Sequence, residues 1–269
     1  MKYFIHACPK RLWYVENFLI PSMVEQGINR EDISVWNDEK EEGNLVSWLK
    51  SCNHIQETMS EEKGIWHLQD DIVIGKSFRE ETEKAGDMII NTWVCKRFNA
   101  THYTATGVVG VLYHWNSFQC VYIPNRYLFG FLKWYYKTAV KDEYCLKRIQ
   151  ENRWDDWLFW TYMRRMNRGD RCLNLAPNIC EHIDYMIGGS VATPEREGNV
   201  YGVYWEENEI LEELWKKIKE FKAEEAAKAE TQNKTPKRPR KATQGGEPRK
   251  RSTTGKKPVK TQNKKGEQE

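Results

Sequence analysis

Two adjacent carboxylates interrupt an otherwise apolar stretch of the chain. Asp70 and Asp71 lie inside the run WHLQDDIVI (residues 66–74), where a buried strand would carry apolar side chains. Leaving both carboxylates unpaired in the interior would cost several kcal/mol. Such a pair can instead hold a hard divalent cation, which in turn binds phosphate oxygens. The alternative is a strand-end turn in which both residues cap the helix that begins near Ser77.

The elements around this pair predict an α/β fold. Apolar and amphipathic stretches alternate in the order strand 2–7, helix 12–26, strand 32–36, helix 44–55 and strand 64–74. This order is typical of a doubly wound sheet, which binds ligands at the carboxyl ends of its strands. The remaining predictions are strands at 87–94, 118–123 and the start of 172–190, and helices from Ser77 to Ala85 and at 125–138, 153–167 and about 207–228.

Strand alternation decides which carboxylate would contact the cation. Along an unbroken strand Gln69 and Asp71 face one side of the sheet and Asp70 faces the other. On this geometry Asp71 contacts the metal. Asp70 then reaches a ribose hydroxyl, a metal-bound water or a backbone amide.

Four segments, taken in order, resemble those of GT-A type glycosyltransferases, in particular small phage-encoded and bacterial ones. They are the degenerate DxD motif QDD (69–71), VYIPN (121–125), WDDWLF (154–159) and APNICEHI (176–183), followed by Gly188-Gly189-Ser190. The resemblance covers about residues 2–192. It implies a GT-A-like (Rossmann-like) central mixed sheet flanked by helices. It also implies metal-dependent transfer of a sugar from a nucleotide-sugar donor to an acceptor hydroxyl.

The resemblance also implies roles for individual residues. Asp71 and His182 would hold a divalent cation, Mn²⁺ or Mg²⁺. Asp156, or else Asp155, would face the acceptor hydroxyl, as general base in an inverting reaction or as a positioning group in a retaining one. The implied donor-binding residues are His6, Ala7, Cys8, Arg11, Asn37, Asp38, Gln69, Asp70, Gly188, Gly189 and Ser190.

Each of these residues also has a purely structural interpretation. Arg11 can be surface charge, Asn37-Asp38 a turn, Asp155-Asp156 a helix cap, and His182 a hydrogen-bonded structural residue. Cys8 and His6 share a strand face, but no third group orients them as a thiol nucleophile would require.

Two other function classes compete with glycosyl transfer. A nucleotidyltransferase also pairs carboxylates with a metal, but it would place a Gly-rich basic loop after the first strand. The loop here reads HACPKR and has no glycine. A nucleic-acid-binding protein would act through the basic C-terminal tail, contacting phosphates without reading bases.

The net charge of +3 on the 269 residues hides a strong asymmetry. Residues 231–269 hold 13 Lys or Arg and 3 Asp or Glu, a net charge of +10, whereas residues 1–230 have a net charge of −7. The tail has no aromatic residue and is predicted to be disordered. The expected division is a GT-A-like domain at 1–206, an amphipathic helix at 207–230 and the tail. The tail can bind nucleic acid or another polyanion, and modified DNA, a glycan and a protein all stay open as acceptor.

The remaining composition favours a reducing compartment. The seven cysteines have no CxxC spacing, which argues against a disulfide framework. The N-terminal segment lacks the apolar region of a signal peptide, and no apolar run is long enough for a transmembrane helix. We therefore expect a cytoplasmic protein, in the host cytoplasm if the gene is viral.

Truncation after Glu230 tests the role of the tail. The full chain is expected to bind duplex DNA with a salt slope of about −0.9 per phosphate contact. The truncated protein should lose most of this binding, because the remaining domain is acidic. Donor hydrolysis should be unchanged. Equal DNA binding with the same salt slope would make the tail a bystander.

Overall fold

The computed structural model describes residues 1–92, 107–110, 118–152, 155–167, 170–175, 178–188 and 205–234. Its strands are β1 (Lys2–Ala7), β2 (Ile33–Asn37), β3 (Gly64–Gln69), β4 (Ile72–Ile74), β5 (Ile89–Asn91), β6 (Gly107–Gly110), β7 (Cys120–Pro124), β8 (Arg171–Asn174) and β9 (Cys180–His182). Its α-helices are α1 (Leu12–Tyr14), α2 (Ile20–Glu25), α3 (Asn44–Thr58), α4 (Phe78–Thr82), α5 (Asn125–Lys137), α6 (Glu143–Glu151), α7 (Asp155–Met166), α8 (Asp184–Ile187) and α9 (Asn208–Lys234). The chain forms two compact units, Met1–Ala223 and Glu224–Glu269.

A seven-stranded mixed sheet forms the centre of the first unit. The strand order is β2-β1-β3-β7-β5-β8-β6. β1 is parallel to both β2 and β3, whereas β7 is antiparallel to its neighbours β3 and β5. The predicted α/β class with helices around a mixed sheet is confirmed. The carboxyl ends of β1, β2 and β3 therefore lie together at one edge.

Strand alternation divides the apolar residues between the two faces of the sheet. Tyr3 and Ile5 pack with the helical stretch after β1 and with α9, where Ile218 is fully buried. Phe4 and Val121 pack on the other face. There α3, α5 and α7 contribute Leu45, Trp48, Leu128, Phe131, Phe159 and Trp160. The high aromatic content of the sequence is thus used mainly in this second layer.

The predicted strand 64–74 is wrong as a single element. β3 ends at Gln69, and Asp70 and Asp71 form a turn. β4 then leaves the main sheet and pairs antiparallel with β9, with Ile72 opposite His182. The alternation argument for Asp71 fails at this break. The physical reason is that two neighbouring carboxylates need polar partners, which the interior of a continuous strand cannot supply.

The predicted helix 12–26 is divided, as Pro21 indicated. A π-helical turn, Val15–Leu19, lies between α1 and α2. Pro21 has no backbone N–H to donate to the preceding turn, so the regular hydrogen-bond ladder cannot continue through it. The helical stretch ends at Gly27, whose φ of 84° suits glycine.

Other parts of the fold were predicted incompletely. The helix predicted at 207–228 is α9, and its stripe of Leu211, Leu214 and Ile218 is buried. Strand β6 and helix α6 were not predicted. Asp142 caps α6 by accepting the Cys145 amide N–H at 3.1 Å. None of the helices in the described part of the chain is long and apolar enough to cross a membrane.

Candidate functional site

The break between β3 and β4 builds a cluster of charged side chains at the sheet edge. Asp70 and Asp71 come from the turn itself. Arg11 comes from the turn after β1, and its carbonyl accepts the first helical hydrogen bonds from Tyr14 and Val15. His182 ends β9. Three segments that are distant in sequence therefore meet because β1 pairs with β3 and β4 pairs with β9.

The polar atoms of this cluster are in direct contact. Arg11 Nη1 lies 3.0 Å from Asp70 Oδ1 and also donates to Asp71 Oδ2. His182 Nε2 lies 3.0 Å from the same Asp71 Oδ2. The Cys8 amide donates to Asp70 Oδ2 at 2.7 Å, so Asp70 meets a backbone amide, one of its three predicted partners. All four side chains are buried: Arg11, Asp70 and His182 are 6% exposed and Asp71 is 5% exposed.

The pKa shifts show how the charges compensate. Burial alone would raise the pKa of Asp71, but His182 and Arg11 lower it below its usual range. Burial and the charge of Asp71 raise the pKa of Asp70. Burial opposes the charged form of His182, but Asp71 raises its pKa above the ordinary value. Asp70 is therefore the carboxyl of the pair that takes up a proton more readily, while Arg11 and His182 favour the ionised form of Asp71.

Backbone contacts fix the turn that carries the carboxylates. The Ile183 amide donates to the Asp71 carbonyl at 2.8 Å, and the Tyr14 hydroxyl donates to the Ile72 carbonyl at 2.8 Å. The buried Tyr14 thus ties the helical stretch after β1 to the start of β4. Neither carboxylate caps α4, because its N-cap residue is Ser77, so the capping alternative fails.

Asp71 and His182 are the candidate ligands for a divalent cation. Asp71 Oδ1 is buried and has no hydrogen-bond partner. His182 offers an imidazole nitrogen beside it, and Asp184 Oδ1 lies 3.7 Å from His182 Nδ1. Within the described ranges no group of three His, Cys, Asp or Glu side chains forms a metal site. A cation at this position would therefore have one or two ligands from the described residues, and phosphate oxygens and water would have to complete its shell.

A second polar group lies on the opposite face of the sheet. The Ser51 hydroxyl donates to the Trp48 carbonyl at 2.7 Å, so its oxygen accepts from His6 Nδ1 at 3.2 Å. His6 Nε2 then accepts from His67 Nδ1 at 3.1 Å. With the hydrogen bonds donated in this order, His67 Nε2 carries no proton. It is a buried acceptor without a hydrogen-bond partner. Burial lowers the pKa of His6 to about 3 and that of His67 well below its ordinary value, so both imidazoles are neutral.

The predicted donor-binding residues at the ends of β1 and β2 lie side by side. The Asp38 amide donates to the Ala7 carbonyl at 2.9 Å. Asp38 Oδ1 accepts the Glu42 amide at 3.3 Å, as the turn interpretation predicted. Asn37 Oδ1 is buried and has no hydrogen-bond partner. The Asn37 side chain therefore retains an acceptor at the sheet edge.

Four further predicted donor-binding residues are Gln69, at the end of β3, and the segment Gly188-Gly189-Ser190 after α8. The Gln69 amide donates to the Gln119 carbonyl at 2.9 Å, which fixes the end of β3. The Gly188 carbonyl accepts from Arg11 Nε at 2.9 Å, so this glycine joins the charged cluster. Gly189 and Ser190 lie outside the described residues.

The two predicted acceptor-side carboxylates begin α7. Asp156 Oδ1 accepts the Trp157 amide at 2.6 Å, as a helix-terminal carboxylate does. Burial raises the pKa of Asp155 to about 6, although the residue keeps partial access to solvent. Burial raises the pKa of the Cys52 thiol, and the charge of Asp155 raises it further. Asp155 therefore lies beside α3.

Cys8 is unsuited to act as a nucleophile. Burial, followed by the charge of Asp70, raises the pKa of its thiol to about 11. The thiolate is the reactive form, and this environment disfavours it. Both ring nitrogens of His6 are engaged by Ser51 and His67, so His6 is not available as its base.

The sequence reasoning missed several residues of these two groups. Ser51 and His67 were not singled out, although His67 follows the same alternation on β3 that His6 follows on β1. Asp184 was also missed, although it lies only two positions after His182. Arg11 was expected to bind the donor, and the sequence carries no signal that it contacts residues about sixty positions away.

Comparison with known proteins adds little to this geometry. No family model and no curated protein matches the chain. Among solved structures, the crystal structure of A197 from STIV aligns with a TM-score of 0.39 at 13% sequence identity, covering 68% of this chain and 86% of that chain. That score is too low to assign a fold, so the description rests on the strand order itself.

Asp155→Asn should change how stability depends on pH. The folded pKa of about 6 lies above the unfolded value of about 3.9. The folded state therefore binds more protons between these values, and wild-type stability falls as pH rises from about 4 to about 6. The fall should be about 1 to 3 kcal/mol, reduced by partial solvent screening. Urea unfolding at pH 4, 5, 6 and 7 measures it, and an identical profile for the variant would contradict the burial of Asp155.

Proposed function

We propose that the protein is a divalent-cation-dependent glycosyltransferase that uses a nucleoside-diphosphate sugar. The observation that carries this proposal is the buried Asp70–Asp71 turn at the carboxyl edge of the parallel strands, with His182 hydrogen-bonded to Asp71. An edge of this kind is where open α/β sheets bind ligands. The resemblance of the QDD segment and of the three later segments to GT-A enzymes supports the same reaction class.

The donor nucleotide would lie over the ends of β1 and β2. Asn37 presents an acceptor oxygen without a partner at this edge, and an amide side chain suits the edge of a base or a ribose hydroxyl. The Ala7–Asp38 hydrogen bond holds these two strand ends together. The diphosphate would then point towards the turn between β3 and β4.

Asp71 and His182 are the residues that would hold the cation. A bound cation would neutralise the charge that develops on the leaving nucleoside diphosphate. The protein itself contributes a turn fixed by backbone hydrogen bonds and a buried carboxylate whose pKa is lowered. These features would preorganise the ligands, since both side chains are buried and in contact with each other.

The acceptor side would be served by the start of α7, where the raised pKa of Asp155 and the hydrogen bond of Asp156 make Asp155 our preferred candidate. A general base is most effective when its pKa lies near the working pH, and that of Asp155 is raised to about 6. Asp156 already accepts a hydrogen bond from its neighbouring amide. In a retaining reaction, Asp155 would position the acceptor instead of removing its proton.

The first test is hydrolysis of UDP- and GDP-sugars with and without Mn²⁺. Mn²⁺-dependent release of the nucleoside diphosphate is expected for at least one donor, and mass spectrometry of candidate acceptors then follows the sugar. Nucleic-acid binding without any donor turnover would instead favour a binding protein.

Asp71→Asn should abolish Mn²⁺-dependent donor binding, because it removes the ionised ligand and the closer of the two carboxylates that contact His182. Isothermal titration of a hydrolysed-donor product such as UDP, in the presence of Mn²⁺, measures the loss. Asp87→Asn is the matched control, since its side chain is 84% exposed on the surface. Binding by Asp71→Asn equal to that of the wild type would refute the cation assignment.

Asp155→Asn should lower turnover by roughly 10²–10⁴-fold with little change in donor affinity, as expected for loss of a general base. Asp156→Asn is the comparison variant and should have the smaller effect. Steady-state kinetics with saturating donor separates the two. Near wild-type turnover in both variants would make these residues helix caps only.

A further inference from the structure

Arg11 lies where the positive charge of a cation would be expected. Its Nη1 is bonded to one oxygen of Asp70 and to one oxygen of Asp71, so a single nitrogen bridges the two carboxylates. The remaining Asp71 oxygen is buried and has no partner. A guanidinium therefore satisfies only part of what the carboxylate pair can accept.

This contact is built into the fold. Arg11 Nε is held by the Gly188 carbonyl at 2.9 Å, and the residue is 6% exposed. The Arg11 amide is bonded to the Cys8 carbonyl at 3.0 Å, which fixes the turn from which the side chain starts. Its neighbour Lys10, by contrast, is exposed and pairs with Glu41 at 3.0 Å on the surface. Arg11 is thus set apart from the other basic residue of its turn.

We infer that the Arg11 guanidinium competes with the divalent cation for the Asp70–Asp71 pair. When the cation binds, the Arg11 side chain must leave this pair. This inference rests on the proposed function, because it concerns the same cation position. Arg11 and His182 already contact Asp71 Oδ2, and a divalent cation added beside them would be repelled by the guanidinium in this buried site. A displaced guanidinium needs a new anionic partner. A phosphate of the donor can accept two parallel hydrogen bonds from it.

Exchange of this kind couples the two ligands. The cation should bind weakly to the free protein and more tightly once a diphosphate is present to receive Arg11. By linkage, bound cation increases the affinity for the diphosphate by the same factor. Arg11 would then restrain cation binding until the donor arrives.

The experiment is calorimetric titration with MnCl₂ alone, which requires no sugar donor or turnover. Arg11→Gln should bind Mn²⁺ about tenfold more tightly than the wild type, or more, because one buried positive charge is removed. Arg11→Lys keeps the charge but lacks the planar fork, so its affinity should lie between the two. The double variant Arg11→Gln/Asp71→Asn should lose the gain. Lys10→Gln, at the neighbouring exposed position, should bind like the wild type.

Thermal unfolding provides an independent readout. Arg11→Gln leaves two carboxylates without their cation, so its Tm should fall and Mn²⁺ should restore more of it than in the wild type. If Arg11→Gln does not fold, the comparison of Arg11→Lys with the wild type decides in its place. Mn²⁺ affinity in the folded variant equal to or below that of the wild type overturns the inference.

The outcomes separate this inference from the proposed function. Tighter Mn²⁺ binding by Arg11→Gln without hydrolysis of any nucleotide sugar supports the competition and refutes the glycosyltransferase. Equal Mn²⁺ binding in a protein that does hydrolyse a donor refutes the competition alone. Absence of Mn²⁺ binding in all variants refutes both the competition and the cation site.

Discussion

The fold around the candidate site depends on the compensation of two buried neighbouring carboxylates. An isolated ionised carboxylate in the interior is strongly destabilising, and two in sequence repel each other as well. The chain meets this constraint by ending β3, turning through Asp70 and Asp71, and starting a new sheet. Arg11 and His182 then both contact Asp71 Oδ2. The small β4–β9 sheet is therefore a consequence of the same charges that give the site its chemistry.

The two faces of the main sheet differ in the polarity of the side chains that they bury. One face is almost wholly apolar and is covered by the helical stretch after β1 and by α9. The other places neutral imidazoles among aromatic side chains, joined to Ser51 by hydrogen bonds with one consistent direction. Neutral histidines can be buried there because each needs only one donor and one acceptor. The buried ion pairs of Arg11 with Asp70 and Asp71 lie instead at the edge of the sheet.

Local pattern was enough to predict elements whose stability is local. The strands β1 and β2 and the helices α3, α5 and α7 follow apolar periodicity, and each lies within a few residues of its prediction. The break at Asp70 could not be predicted in this way, because the partners that favour it come from residues 11 and 182. Helix α6 was missed since its sequence is mostly polar, and its start depends on the Asp142 cap. At the candidate site, the residue types indicated which chemistry is available. Which of these residues contact one another is determined by the strand topology.

The contacts that stabilise this edge also oppose its use. Breaking a buried ion pair by removing one partner commonly costs about 3–5 kcal/mol, because the other charge is left uncompensated. Any ligand that draws Arg11 from Asp71 must therefore supply a replacement charge at the same moment. A cation alone supplies a replacement positive charge to the carboxylates but leaves the guanidinium without a partner. An anion alone supplies a partner to the guanidinium but leaves the carboxylates uncompensated. Only a ligand pair that brings both signs leaves every buried charge paired, and a metal-complexed diphosphate has that composition. If the proposed function holds, the charge arrangement of the resting site would favour the complex over either component.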